Sequence, residues 1–190
     1  MTSATQTQDL PSLGVTCGDA NCKEGLHCFR HTPKTPHDER GRCVECKIEL
    51  IDWTRHHNRD LSDSAALFKA LRHELIRHAF WHVPIPDRVR QLALRPSREV
   101  LEKRTSKAVA TALIPAHLNF REGWQTPFPH NEDARIFHYG QHATATCCRR
   151  CLEYWHGIDR NRHLTDTELD YCTQLVMLYV EERLAELPRK

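Results

Sequence analysis

Apolar residues return at helical spacing over most of the chain beyond residue 61, and hardly at all before it. Leu67, Leu71, Leu75 and Phe80, with Phe68 and Ile76 beside them, fall on one helical face. That spacing predicts an amphipathic helix opening at Ser62 or Asp63. The run stops at HVPIPD, where Pro84 and Pro86 remove backbone donors and fix φ. From Asp87 to Ile114 the pattern predicts two shorter helices divided around Pro96. The C-terminal helix carries its own start signal, the capping box Thr165-Asp-Thr-Glu168. Behind it runs a stripe of Leu169, Cys172, Leu175, Val176, Tyr179, Val180 and Leu184. β character is confined to CVECKIELIDW, where a short hairpin is expected. A long irregular stretch, 115–140, separates the middle helices from the next one, and loops of that length tend to be functional.

The pattern therefore predicts a mainly α protein in three parts. These are a tail (1–15), a cysteine-rich metal-binding module (16–60) and a helical domain (61–190). At 190 residues there is chain enough for one well-formed core with a small appended module. No apolar run reaches the roughly 18 residues that a membrane-crossing helix needs, so no membrane partner is expected. The start, MTSATQTQDLPSLG, has neither the basic residues nor the apolar stretch of a secretory signal. A cytoplasmic location is the corresponding expectation, and with it nine cysteines kept as thiols or metal ligands rather than disulfides. The net charge of +2 does not by itself imply nucleic acid, and no glycine-rich loop calls for a nucleotide cofactor.

Five of the cysteines lie in TCGDANCKEGLHCFR…GRCVECKIEL, at Cys17, Cys22, Cys28, Cys43 and Cys46. A C-x2-C turn such as Cys43–Cys46 points two thiolates at one tetrahedral ion, and a second pair closes the site. Four of these five are expected to bind zinc, with two of Cys17, Cys22 and Cys28 completing the pair and His27 a further candidate. Such a short segment buries too little apolar surface to fold alone, so the ion would supply much of its stability. Four protein ligands leave no open position, which points to a structural role.

Three more cysteines sit in QHATATCCRRCLEYWHGI, residues 141–158. On a helix Cys147 and Cys151 are i,i+4 and Cys148 and Cys151 are i,i+3, so either pair shares a face. His142 and His156 could add ligands, as could Cys172 from the last helix. A second metal site at Cys148, Cys151 and His156 is one reading, as zinc or as an iron–sulfur cluster. Close helix packing by small buried thiols is the other. Together with GLHCFR, GRCVECKIELIDW, ELIRHAFWHV and QTPF, this motif resembles an uncharacterised bacterial family, a domain of unknown function, over roughly Cys17 to Leu187. The resemblance implies that these motifs matter to the family; it supplies no activity. Where this chain has LALRPSREVLEKRTSK the family pattern leads one to expect a denser basic run.

Glu74, His78 and His82 follow at i, i+4 and i+8, which suits a general acid–base pair as well as a surface ion pair. Gln141 and His142 stand where the long loop is expected to turn into a helix start, a position that favours negative charge. Glu74, His78, Gln141 and His142 are thus the catalytic candidates. Gln125, Asn131, Tyr139 and Trp155 mix amides with flat rings, as a nucleobase pocket would. Arg88, Arg90, Arg98, Arg104, Arg149, Arg150 and Arg160 could meet phosphates. Put together, these residues predict a zinc-binding protein that acts on nucleic acid, DNA in preference, as a glycosylase excising a flipped base in repair or antiviral defence. The alternative is a non-catalytic zinc-stabilised module that binds nucleic acid or protein. No H-E-x-x-H pair supports a zinc hydrolase on the first helix.

Overall fold

The computed structural model describes residues 14–32, 34–114 and 135–187. Among them are eight α-helices: α1 Trp53–His57, α2 Ser64–Leu71, α3 Leu75–His82, α4 Asp87–Leu94, α5 Arg98–Leu113, α6 Ile136–Ala143, α7 Arg149–His156 and α8 Asp166–Arg183. The protein is mainly helical, and no described helix is long and apolar enough to cross a membrane.

Helix α8 is the axis of the fold, packed against α5 and α6, while α6 also packs on α3. Its capping box forms: Glu168 N–H donates to Thr165 Oγ1 at 3.2 Å and Thr165 N–H to Glu168 Oε2 at 3.0 Å. The expected stripe is buried apart from Leu169, which is half-buried, and Tyr171, Thr173 and Met177 are buried as well, because α8 has neighbours on more than one side. Gly140 makes the α6–α8 approach possible. A Cβ there would stand 2.8 Å from Val176 Cγ1 and 3.1 Å from Tyr179 Cδ1, so only glycine fits without a shift of α8.

The helix expected from Ser62 onward is two helices. Asp63 stands at the N-cap position of α2 with its carboxylate turned to Arg55, and the chain leaves the helix at Arg72 and re-enters at Leu75. The cause is a long-range contact. His27 N–H donates to His73 O at 2.7 Å and Leu75 N–H donates to His27 O at 2.9 Å, a single parallel bridge that occupies the backbone groups a continuous helix would use. The hairpin expected in CVECKIELIDW is absent too. Among the described residues there is no strand, only the bridges Asn21–Leu26 and His27–Glu74, and Cys43–Lys47 is a turn with Lys47 at φ 61°. Within the expected loop 115–140, Ile136 onward belongs to α6, and 115–134 lie outside the described residues.

The cysteine-rich segment shares the helical core. Phe29, Cys43 and Ile51 are buried in the same cluster as Trp155 and Leu175. Trp53 lies 5.2 Å from Trp155, ring centre to ring centre, and Phe29 lies 5.9 Å edge-on to it. His56, buried beside Trp155 and His156, has no hydrogen-bond partner at Nε2. Burial pushes its pKa down to about 4. The ring is neutral when folded, whereas the unfolded chain takes up a proton below about pH 6.5. This contribution to stability is therefore intact above about pH 6.5 and drains away as the pH falls toward 4, at up to ~1.4 kcal/mol per pH unit. Urea titrations at pH 7 and pH 5 are expected to show weaker folding at pH 5. His56→Phe should narrow that gap, and an unchanged gap would contradict the assignment.

Candidate metal centres and the adjoining cavity

The first centre is built from two tight turns. Asn21 and Leu26 exchange backbone hydrogen bonds at 2.8 and 3.1 Å around Gly25, whose φ of 72° closes the loop and sets Cys22 and His27 side by side. The second turn, Cys43–Lys47, is held by Lys47 N–H to Cys43 O at 3.0 Å and Cys43 N–H to Ile48 O at 3.0 Å. It presents Cys43 and Cys46. The ligand atoms of Cys22, His27, Cys43 and Cys46 all lie within 4.8 Å of one another. Cys22 and Cys43 sulfurs are 3.7 Å apart, and Cys46 Sγ is 3.4 Å from His27 Nδ1. Tetrahedral metal–sulfur and metal–nitrogen bonds of about 2.3 and 2.0 Å require sulfur–sulfur and sulfur–nitrogen separations of about 3.8 and 3.5 Å. The donor set and its spacing therefore suit one metal ion. Burial raises the Cys43 thiol, but backbone groups of Cys28, Cys46 and Glu45 and the His27 ring outweigh it and bring the pKa to about 6. Of the upstream cysteines only Cys22 takes part. Cys28 turns its thiol to Cys17 O at 3.5 Å, and both Cys17 and Cys28 lie outside the group, the histidine replacing the second sulfur.

The second centre lies at the start of α7. Cys148 is its N-cap, Cys147 precedes it and Cys151 is one turn in, so all three sulfurs crowd the helix N-terminus. Cys147 and Cys148 Sγ are 3.6 and 3.4 Å from Cys151 Sγ. Cys147 joins the pair expected from the sequence, and His156 does not. The His156 Nε2–H donates to Thr144 O at 2.9 Å and its Nδ1 accepts from Tyr171 Oη at 2.9 Å, so both ring nitrogens are engaged. Cys172 is buried elsewhere in the core. Hydrogen bonds with Cys147 and Cys151 hold the Cys148 thiol well below its ordinary value, while those with Cys148 and Cys151, and burial, raise Cys147.

Behind this centre stands a buried ion pair. Arg77 and Glu74 are both fully buried, with Arg77 Nε donating to Glu74 Oε2 at 2.9 Å. Arg77 Nη2 reaches Cys151 Sγ at 3.1 Å and Nη1 reaches Cys147 Sγ at 3.7 Å. Glu74 also accepts from Trp155 Nε1 at 2.9 Å, Tyr154 Oη at 3.0 Å and Phe29 N–H at 3.3 Å. Burial pushes the Glu74 pKa up, and Arg77, Trp155 and Tyr154 work against that by donating to the carboxylate. The motif hidden in the sequence was Glu74-x2-Arg77, an i,i+3 pair that reads like any surface ion pair until burial is known.

In front of the second centre opens a cavity of about 720 Å3 between α4, α5 and α6. Val89, Leu92 and Leu101 form its apolar side, Arg104, Lys107 and Arg135 its cationic side, and Gln141, His142 and Cys147 its inner end.

A family model described as a domain of unknown function (DUF4186) matches residues 65–181. The chain belongs to this family. No solved structure is matched. The DUF4186 match takes in the second centre, the buried ion pair and the cavity, and leaves the four ligands of the first centre outside it.

Within the DUF4186 domain the remaining predicted residues scatter. Glu74 is sealed in the core, while His78 lies on the outer face of α3, its ring stacked on His82 at 4.0 Å. Gln141 and His142 do border the cavity, but at the end of α6, not at a helix start. The chain reverses at Ala145 (φ 57°), with Thr146 N–H returning to Gln141 O at 2.8 Å. The Gln141 amide donates to Thr146 O at 3.4 Å, and His142 Nδ1–H donates to His138 O at 3.0 Å. Burial takes the His142 ring down to about 4, so it meets the cavity neutral. Tyr139 and Trp155 are buried in the core and present no face to a base, and Gln125 and Asn131 lie outside the described residues. Of the arginines, Arg90 pairs with Glu186, Arg98 with Glu181 and Glu102, and Arg160 with Glu153. Arg149 is buried and donates to Asp159 O and Arg162 O. Arg88 and Arg150 sit on α4 and α7, and Arg104 alone of the seven lines the cavity.

Proposed function

We propose that the protein is a metal-dependent enzyme with two zinc ions in different roles. The four-ligand centre is structural, because Cys22, His27, Cys43 and Cys46 fill a tetrahedron and leave no place for a substrate. The working ion belongs on Cys147, Cys148 and Cys151. Three protein ligands with a fourth position open is the pattern of catalytic zinc, which polarises a bound carbonyl or water. The observation that carries the reading is the position of Cys147, which belongs to the three-thiol group and also lines the cavity. Arg77 closes the opposite side, where its guanidinium offsets the negative charge of three thiolates. His142 and Gln141 flank the cavity end as neutral groups able to accept or orient a proton.

Purified protein is expected to carry two zinc ions per chain, and Cys151→Ser one. X-ray absorption at the zinc edge should show an average of three sulfurs per ion. A Cys151→Ser protein that keeps both ions, or a wild-type chain holding one, would sink the second centre.

Base excision on DNA is a narrower form of this reading. Gln141, His142 and Arg104 at the cavity favour it, and release of free base from duplex DNA is the assay.

A further inference from the structure

The cavity has a chemical bias that the metal centre does not explain. Arg104 and Lys107 stand at i,i+3 on α5 and face the same space, an arrangement of like charges that costs helix stability. Arg135, at the foot of α6, joins them, and its Nη1 is buried with no hydrogen-bond partner. Elsewhere several arginines meet carboxylates, as Arg98 meets Glu181 and Arg72 meets Glu182. Among the described residues no aspartate or glutamate lines the cavity, and none pairs with Arg104, Lys107 or Arg135. A buried donor without a partner asks for an acceptor, and three uncompensated cations ask for an anion.

The other wall asks for something else. Val89, Ala93 and Leu101 are buried around it, with Leu92 half-buried beside them. An inorganic anion would leave this apolar surface wet, and a purely apolar guest would leave Arg135 unsatisfied. At about 720 Å3 the space lies within the range of small-molecule sites, roughly 300–1,000 Å3.

We propose that the cavity binds a small molecule with one anionic head, carboxylate or phosphate, and an apolar body. The head sits among Arg104, Lys107 and Arg135, and the body lies along α4 and α5. This deepens the metal-centre reading by naming its substrate class, and it rests on that reading only for what happens at Cys147; the binding site stands without the ion.

The test is isothermal titration of the full-length, zinc-loaded chain with octanoate, octyl phosphate, octylammonium, octanol and inorganic phosphate. Octanoate and octyl phosphate are expected to bind with one molecule per chain. Octylammonium, octanol and inorganic phosphate should each bind at least about tenfold more weakly, as expected when a charge-assisted hydrogen bond or the apolar contact is lost. The ratio of octanoate to octyl phosphate affinity tells a carboxylate head from a phosphate one. Arg135→Ala should weaken octanoate about tenfold or more while circular dichroism and zinc content stay at wild-type values. Lys107→Ala, on the exposed side of α5, should weaken it in the same direction and serves if Arg135→Ala does not fold. Equal binding of octanoate and octylammonium, no binding of octanoate, or full affinity in both variants would overturn the proposal. The two readings fail separately. Octanoate binding to a chain with a single zinc ion upholds the cavity and removes the working metal. Two zinc ions without octanoate binding do the reverse.

Discussion

Glu74→Ala is expected to cost a large share of the protein's stability while removing no residue that meets solvent. The carboxylate is fully buried and gathers four donors, Arg77 Nε, Trp155 Nε1, Tyr154 Oη and Phe29 N–H, at 2.9 to 3.3 Å. Truncation leaves Arg77 charged, buried and without its carboxylate, and breaking such a pair typically costs ~3–5 kcal/mol. Domains of this size are stable by only about 5–15 kcal/mol in total. Glu74→Gln keeps the volume but turns an amide N–H2 toward donors, so it should be destabilised as well. The double variant Glu74→Leu/Arg77→Met removes both charges and should recover part of the loss, since no unpaired charge remains. Urea unfolding of the four proteins measures this. A Glu74→Ala protein within 1 kcal/mol of wild type would show that the network is not what holds α3 to α7.

Disrupting the first candidate metal centre is expected to destabilise the protein too, with a different signature. Structural zinc sites contribute binding free energy of about 10–16 kcal/mol that becomes folding free energy. Most hydrogen bonds of the turns at 21–27 and 43–47 lie within each turn, the ties beyond them being His27 to His73 and Leu75, and Val44 to Cys28. Cys43→Ser, or a strong chelator, should therefore release this segment first. In hydrogen exchange the amides of Leu26, His27, Cys43 and Val44 should lose protection, while those in the middle of α8 keep it. Uniform loss along the chain, or none, would contradict a centre that acts as a local fastener.

What could be read from the sequence was whatever depends on near neighbours. Thr165 and Glu168 are three residues apart, so their spacing alone marks the start of α8. Cys43 and Cys46 are likewise local, and their turn geometry follows from the interval. The break between α2 and α3 was invisible because it is made by His27, about 45 residues earlier in the chain, through backbone bonds that carry no sequence signature. His27 as fourth ligand, in place of Cys17 or Cys28, depends on the same contact. Glu74 and Arg77 looked like groups on an exposed helix face; only the packing of α7 across them turns them into a core pair. Gln141 and His142 were recognised as residues of interest, but helix end and helix start were exchanged, because α6 opens at Ile136, inside what reads as loop.

His27 does two things with one residue. Its ring contributes to the first centre, and its main chain is the strand partner that keeps His73–Leu75 out of the helix. The side chain that follows that break, Glu74, turns inward to Arg77, whose guanidinium touches the sulfurs of the second centre. Two candidate metal centres more than a hundred residues apart in sequence are thus joined by a run of five groups: imidazole, backbone, carboxylate, guanidinium, thiol. A substitution at any one of these groups therefore changes the surroundings of both candidate sites, although no ligand atom is shared between them.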